Sequence, residues 1–446
     1  MKLTVIGGGG MRSPLFVAAA IHHTRQLNLS DLCLMDIDPV RLRIFGSLAR
    51  VLTAFLGSSL RTTTTTDTDT ALDGADYVVT TIRVGGDQGR IDDERIALEQ
   101  GILGQETTGP GGFAMAMRSI PAILHYAHIL RQVSPEAWMF NFTNPAGLVT
   151  QALHDSGYLR VAGICDSANN AQHALAKFLA FPAGQLKAEL FGLNHLSWTR
   201  HVWFEGRDVL PEFLADEKAL AASTMNMYDH ELVHELGMYL NEYLFYYYYS
   251  DKAVKAILND SKTRGEEVKE INDQLWQKLR EMNLSRNPRA GLDLITGATQ
   301  RRESTYMHYA RRGDAPQSEG GEGYAGVVLD VIAALEMDKP MTTGLNVPNQ
   351  GAIDCMRAGD VVEASCLVDG EGVHILPVGA VPEAQELLMR SVKRYERLAV
   401  EAILKRDRQT AVMALMTHPL VMSYPLAQTL VNEYLDAHAS YVGEWT

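Results

Sequence analysis

Cys165 and His195 are the residues of this chain whose types and setting could support the most chemistry. Cys165 stands in Gly163-Ile164-Cys165-Asp166-Ser167 and His195 in Gly192-Leu193-Asn194-His195, each behind an apolar stretch that reads as a strand. A thiolate and an imidazole at strand ends, with the acid Asp166 beside the first, can hold a divalent ion and leave other positions open. Taken alone, the pair equally fits a buried structural thiol and a hydrogen-bonded histidine, so its meaning depends on its surroundings. Those begin with a nucleotide signature. Residues 3–6 read as a strand that breaks into Gly7-Gly8-Gly9-Gly10, a helical pattern follows from about Pro14, and a second strand at 32–35 ends on Asp36. That order is the dinucleotide-binding layout: glycines let the backbone approach a pyrophosphate, the helix start offers N–H donors, and Asp36 can accept from the adenine ribose. An acid there favours NAD over NADP. The pattern is imperfect, because position 12 is Arg. An ion beside a dinucleotide suggests redox chemistry on a hydroxyl whose oxygen the ion polarises.

Other segments could contribute, and each has a plainer reading. Gly104-Gln105-Glu106-Thr107-Thr108-Gly109-Pro110-Gly111-Gly112 is either a connection or a loop that approaches a ligand closely. Asn141-Phe142-Thr143-Asn144-Pro145-Ala146-Gly147 suits a helix-capping turn, or amides that bond a cofactor or sugar. Arg90 and Arg264 are candidates for anion binding or ordinary surface charges. The run Tyr243-Leu244-Phe245-Tyr246-Tyr247-Tyr248-Tyr249 reads first as packing, though one tyrosine could be a general base if a cation lowers its pKa from about 10. His230-Glu231-Leu232-Val233-His234 matches the H-E-x-x-H pattern of zinc peptidases, but a longer version would place its third ligand at Leu240. An amphipathic helix explains those residues better.

The elements that must position these groups alternate. Residues 77–82, 138–142 and 160–164 read as further strands, with helices at 118–133 and 146–155 between them, giving a doubly wound parallel sheet. The threonine run at 62–66 is a strand or a loop. After about residue 190 the pattern changes to a strand at 196–204 and long helical stretches at 251–282 and 382–405. The expected organisation is α/β: a Rossmann-like domain over 1–190, then a mixed α/β (α+β) catalytic domain over 191–446, with sites at the junction.

Composition narrows the class. The 446 residues carry 46% hydrophobic content and a net charge of -14, which argues against nucleic acid or anionic membrane as the main partner. Cys33, Cys165, Cys355 and Cys366 show no CxxC spacing and fit reduced thiols. The apolar start is too short for a signal peptide, and no run of about 18 apolar residues occurs, so a cytoplasmic protein is expected.

Read together, the ordered motifs resemble family 4 glycoside hydrolases over nearly the whole chain. They are the glycine start, Arg83-Val84-Gly85-Gly86, the 104–109 loop, Asn141–Pro145 in sequence, the cysteine motif, Gly192-Leu193-Asn194-His195, Tyr243-Leu244-x-Tyr246-Tyr247, Thr263-Arg264-Gly265-Glu266-Glu267-Val268 and the helical end at 393–405. Gly-Leu-Asn-His-Leu-Ser and Gly-Gln-Glu-Thr-Thr-Gly look most like the 6-phospho-β-glucosidase branch. The resemblance implies a lactate/malate-dehydrogenase-like fold. It makes Cys165 and His195 ligands of a divalent ion, usually manganese, Tyr243 the base, and Glu106 the carboxylate that raises the tyrosine's basicity. Gly7, Gly8, Gly9, Gly10, Asp36 and Arg83 would contact NAD, while Arg90, Asn144 and Arg264 fall where the family contacts substrate. An arginine there suits a 6-phosphate. Asp166 departs from the β-branch, which usually has Asn after this cysteine, and resembles the acid of phospho-α-glucosidases.

Most glycosidases use a carboxylate pair. The resemblance implies something different: NAD+ takes hydride from sugar C3, the ion polarises the ketone, Tyr243 removes the C2 proton, the C1 substituent leaves, water adds, and the hydride returns. The expected activity is an NAD- and metal-dependent 6-phospho-β-glucosidase acting on a small phosphoglycoside. Alternatives within the family are a phospho-α-glucosidase or an enzyme of the α-galactosidase or α-glucuronidase type. An NAD-dependent sugar dehydrogenase and a non-catalytic NAD sensor are the readings from other classes. A homodimer or homotetramer is expected.

Overall fold

The computed structural model describes residues 1–312, 323–337 and 339–446. Its central sheet begins as the sequence alternation requires. Strands β1 (Lys2–Ile6), β2 (Asp31–Met35), β3 (Arg61–Thr65), β4 (Tyr77–Thr80), β5 (Trp138–Asn141) and β6 (Val161–Gly163) run parallel in the order β6-β5-β4-β1-β2-β3. Leu32 and Leu34 enter one apolar cluster while Cys33 and Met35 enter another, so the period-two pattern feeds two covered faces. The threonine run is therefore an edge strand.

The second sheet is small: β7 (Lys187–Leu193), β8 (Leu196–Phe204), β9 (Arg207–Asp208) and β10 (Tyr239–Leu240). Three late strands do not join it. β11 (Met341–Pro348), β12 (Val361–Asp369) and β13 (Gly372–Ile375) extend the central sheet beyond β6 in antiparallel pairing, with Asn346 opposite Gly163. The two sheets meet where Ser365 Oγ on β12 accepts from the Leu190 N–H at 3.0 Å and donates to the Ala188 carbonyl at 2.8 Å. The central sheet thus carries strands from both ends of the chain.

One expectation is corrected. The stretch 251–282 is not one helix but two, Ser250–Asn259 and Arg264–Glu281. Thr263 is the reason: in extended backbone it accepts from the Glu266 N–H at 3.3 Å, while the Glu266 carboxylate accepts from the Thr263 N–H at 2.8 Å. This reciprocal cap starts a new helix and puts Arg264 in its first turn.

Candidate active site

The glycine cradle, Asp36, Arg83 and Cys165 follow the carboxyl ends of parallel strands, where α/β sheets bind ligands, whereas His195 comes from the hairpin turn of the second sheet. Gly7 has φ of 97°, and a Cβ there would sit 2.4 Å from the Thr81 carbonyl oxygen, so only glycine fits where the chain leaves β1. At the end of β2, Asp36 Oδ2 accepts from the Gly9 N–H at 2.8 Å and Oδ1 from the Asp38 N–H at 2.9 Å. A carboxylate offers about four acceptor positions, so sites remain for ribose hydroxyls. The glycine cradle, the acid and the helix starting at Ser13 fit a dinucleotide.

One side of the neighbouring site is built from charges. Arg90, buried on the helix Gly86–Glu99, gives Nε to Glu94 Oε1 at 2.7 Å and pairs with Glu106 Oε1 at 3.0 Å. Arg83, just after β4, pairs with the other Glu106 oxygen. Burial alone would raise the Glu106 carboxyl, but Arg83 and Arg90 overcome it and hold the group well below the usual carboxylate range. Arg264 donates to Glu267 and to Thr305 Oγ1, both at 2.7 Å, and lies 5.4 Å over the Tyr306 ring. Arg302 sits among these groups. Burial, followed by the charges of Arg12, Arg83, Arg90 and Arg264, pushes its guanidinium down to about 9, and its buried Nε has no hydrogen-bond partner among the described residues. Such a concentration of guanidinium groups fits a strongly anionic ligand.

The other side is neutral. His195 lies in the turn between β7 and β8 with φ of 62°, its ring stacked on Tyr243 with centroids 3.5 Å apart and planes 2° from parallel. Thr107 Oγ1 donates to Gln105 Oε1 at 3.0 Å and lies 2.9 Å from His195 Nδ1. The hydroxyl proton being committed to Gln105, Nδ1 carries the imidazole hydrogen and Nε2 keeps its lone pair. Burial pushes the ring down to about 3, against the pull of Glu106, which keeps it neutral, as an ion ligand must be. Cys165 follows β6, its sulfur 3.2 Å from Ser167 Oγ. Burial, then Glu363, raises its thiol, and burial, Glu242 and Cys165 raise the Tyr243 phenol well above its ordinary value. A soft sulfur and a fixed imidazole nitrogen fit a divalent ion, whose charge would reverse both of those shifts. Among the described residues no set of three His, Cys, Asp or Glu side chains is grouped as an ion cage.

The structure joins Arg83 and Arg90 to Glu106, and His195 to Tyr243. Asp166 opens the turn Asp166–Asn169 with an exposed side chain; desolvation by the surrounding protein raises its carboxyl, Arg12 opposes the shift and Glu303 adds to it. Glu106, in contrast, pairs with Arg83 and Arg90. Asn144 is half-buried. The glycines of the 104–112 loop are required by chain-to-chain packing: a Cβ at Gly104 would meet the Glu94 carbonyl oxygen at 2.3 Å, and one at Gly111 the Gln105 carbonyl oxygen at 2.3 Å. His230 and His234 lie on the short helix His230–Leu236, where His230 bonds Glu217 and His234 meets the Leu214 carbonyl at 3.0 Å. Sequence reasoning missed Thr107, Asn241, Arg302 and Glu363. Glu363 alone left a signal, an acid inside the apolar run 361–368.

Comparison with known proteins gives the family. The profile described as "Family 4 glycosyl hydrolase" matches residues 2–181 and that of its C-terminal domain matches 190–421. A probable 6-phospho-β-glucosidase of Bacillus subtilis is 31% identical, covering 100% of this chain and 98% of its own. The 6-phospho-β-glucosidase of Thermotoga maritima, solved with NAD and glucose-6-phosphate, superposes with a TM-score of 0.87 at 28% identity, covering 99% of both chains. A 6-phospho-α-glucosidase from gut microorganisms, solved with NAD and Mn2+, gives 0.84 at 25% identity, covering 100% and 99%. A malate dehydrogenase of Plasmodium falciparum, 14% identical with a TM-score of 0.52, shares the fold. The architecture is that of an α/β Rossmann-like enzyme. This chain belongs to family 4 of the glycosyl hydrolases.

Proposed function

We propose that this chain is a 6-phospho-β-glucosidase that uses NAD and a divalent ion, manganese by analogy with its relatives. The observation that carries the reading is the His195–Tyr243 stack, which Tyr306 links to the arginine cluster, its ring centroid 6.2 Å from that of Tyr243 and 5.4 Å beneath Arg264, so that a candidate base and an ion ligand stand near an anion site. Bound here, NAD supplies a hydride acceptor for sugar C3 and the ion supplies the Lewis acidity that makes the C2 hydrogen removable. Arg90, Arg264 and Arg302 hold the 6-phosphate and so orient the ring. Tyr243 takes the C2 proton, His195 keeps its Nε2 lone pair toward the ion, and Glu106 fixes Arg83 and Arg90. Asn144 bonds sugar hydroxyls. Residues 1–190 form the nucleotide half and 191–446 the substrate half, although β11–β13 lie in the central sheet.

Both anomeric classes occur among the relatives. The 104–109 and 192–197 motifs favour the β-linkage. Asp166 favours a second reading, an acid that protonates the leaving oxygen of an α-linked substrate. The test is a panel of α- and β-nitrophenyl glucosides, with and without a 6-phosphate, assayed with Mn2+ and NAD+ under reducing conditions. Nitrophenol release from the β-6-phosphate without stoichiometric NADH is expected, and cleavage of α-6-phosphates alone would overturn the β assignment. The Asp166→Asn variant is expected to keep substantial activity on the activated β-substrate.

A further inference from the structure

Asn241 caps the turn Glu242–Leu244 and is buried where three elements meet. Its Oδ1 accepts from the Tyr243 backbone N–H at 3.0 Å, which fixes the amide's orientation. The Nδ2 group, a donor only, then faces Ser167 Oγ and Ser197 Oγ, each at 3.1 Å. A hydroxyl that accepts from an N–H turns its own proton elsewhere. Ser197 gives its proton to Glu363 Oε2 at 2.8 Å, while Glu363 Oε1 accepts from Asn194 at 3.0 Å and Asn346 at 3.2 Å. Ser167 Oγ lies 3.2 Å from the Cys165 sulfur, and once that sulfur is the thiolate that binds an ion, only the serine can donate across this contact. Donation therefore runs outward from one amide along two branches. One ends on Cys165, and the other ends on the carboxylate that holds both ends of the Asn194–Ser197 turn carrying His195.

We propose that Asn241 is the positioning residue of this site: a single carboxamide directs a donor onto the Cys165 sulfur, braces the turn of His195 and sets the backbone of Tyr243. The proposal rests on the reading of Cys165 and His195 as ion ligands. Groups that orient ligands from behind typically change ion affinity by about 10–100-fold when removed. The experiment titrates Mn2+ against Ser167→Ala, Asn241→Ala, the double variant and Cys165→Ser, and measures kcat and KM at saturating Mn2+. Ser167→Ala loses only the sulfur branch, so it should bind Mn2+ about 10–100-fold more weakly and recover kcat in excess Mn2+. Asn241→Ala should lose comparable affinity yet stay about 10²-fold low in kcat at saturation, with KM unchanged, because Tyr243 is no longer held. The double variant should bind Mn2+ no more weakly than Asn241→Ala, as expected for one chain of bonds. Wild-type Mn2+ affinity in Ser167→Ala, or full rescue of Asn241→Ala by Mn2+, overturns the proposal. Wild-type affinity in Cys165→Ser overturns the ligand reading instead. If Asn241→Ala does not fold, Ser167→Ala alone decides the sulfur branch.

Discussion

The wall formed by Arg83, Arg90, Arg264 and Arg302 and the wall formed by Cys165, His195 and Tyr243 lie side by side, yet they are held in opposite ways. On the first, carboxylates lock guanidinium planes: Glu94 and Glu106 bracket Arg90, and Glu267 fixes Arg264. On the second, the groups that touch the side chains are a hydroxyl beside the imidazole and another beside the sulfur, with Glu363 bracing the turn from behind, and burial favours the uncharged imidazole, thiol and phenol. The difference suits what each wall would meet under the proposed function. A phosphate needs fixed positive charge whatever the pH, which only arginine guarantees. An ion ligand or a base must gain or keep a lone pair; there carboxylates act on the groups only through space, and the direct contacts to His195 and Cys165 come from neutral hydroxyls that orient the group and leave its charge to the ion.

The largest effect should come from breaking the neutral wall at sulfur. Cys165→Ser is expected to abolish Mn2+ binding and turnover while NAD+ affinity stays near wild type; equilibrium dialysis against Mn2+ and NAD+ separates the two. Tyr243→Phe keeps the ring and its stack on His195 but loses the base, so kcat should fall by about 10²–10⁴. In D2O the native enzyme should place deuterium at C2 of the product. A product without it means direct displacement, and the redox scheme fails.

On the charged wall, Arg264→Lys keeps the charge and removes the planar fork. Losing charge-assisted bonds worth about 1.5–3 kcal/mol should lower kcat/KM for a 6-phosphoglucoside by about 10–100-fold. The same ratio for an unphosphorylated glucoside should hardly move. Equal losses on both substrates would mean that Arg264 shapes the site without reading phosphate.

The smallest effect is on stability. His418, fully buried beside Tyr395, accepts from the Leu420 N–H through Nδ1 and is pushed down to about 3 by burial. An unfolded histidine protonates near pH 6.5. Between that value and about 3 the unfolded chain binds a proton that the folded chain refuses, so this contribution is complete above pH 6.5 and is lost as pH falls. His418→Gln should flatten the fall in urea midpoint between pH 7 and pH 5, against a slope of at most about 1.4 kcal/mol per pH unit per histidine. An unchanged slope would mean that other groups dominate.

The parallel strands, the glycine cradle and the Cys165 and His195 motifs were legible because each is local: a period-two pattern, a turn that needs glycine, a motif at a strand end. The break at Thr263 was legible in principle, since Thr263 and Glu266 spell a reciprocal cap, but helical periodicity on both sides masked it. Arg302 and Asn241 were not. Their importance lies in what surrounds them: Arg302 is 212 positions beyond Arg90 in sequence (302 minus 90), and Asn241 joins Ser167, Ser197 and Tyr243 through contacts that no spacing encodes. The destination of β11–β13 was hidden for the same reason, because antiparallel addition to a distant edge leaves no periodic mark.

That late addition constrains how the protein is made. β6 is paired on one side by β5, and its other edge waits for β11, whose pairing residue Asn346 is synthesised long after Gly163. At roughly 5–20 residues per second, the gap is on the order of 10–40 seconds during which the nascent sheet presents an unpaired edge. Pairings this far apart in sequence are closed slowly. The enzyme's first half therefore emerges as an unfinished sheet, and it is during synthesis rather than in the folded state that this chain most needs protection from sticking to its neighbours.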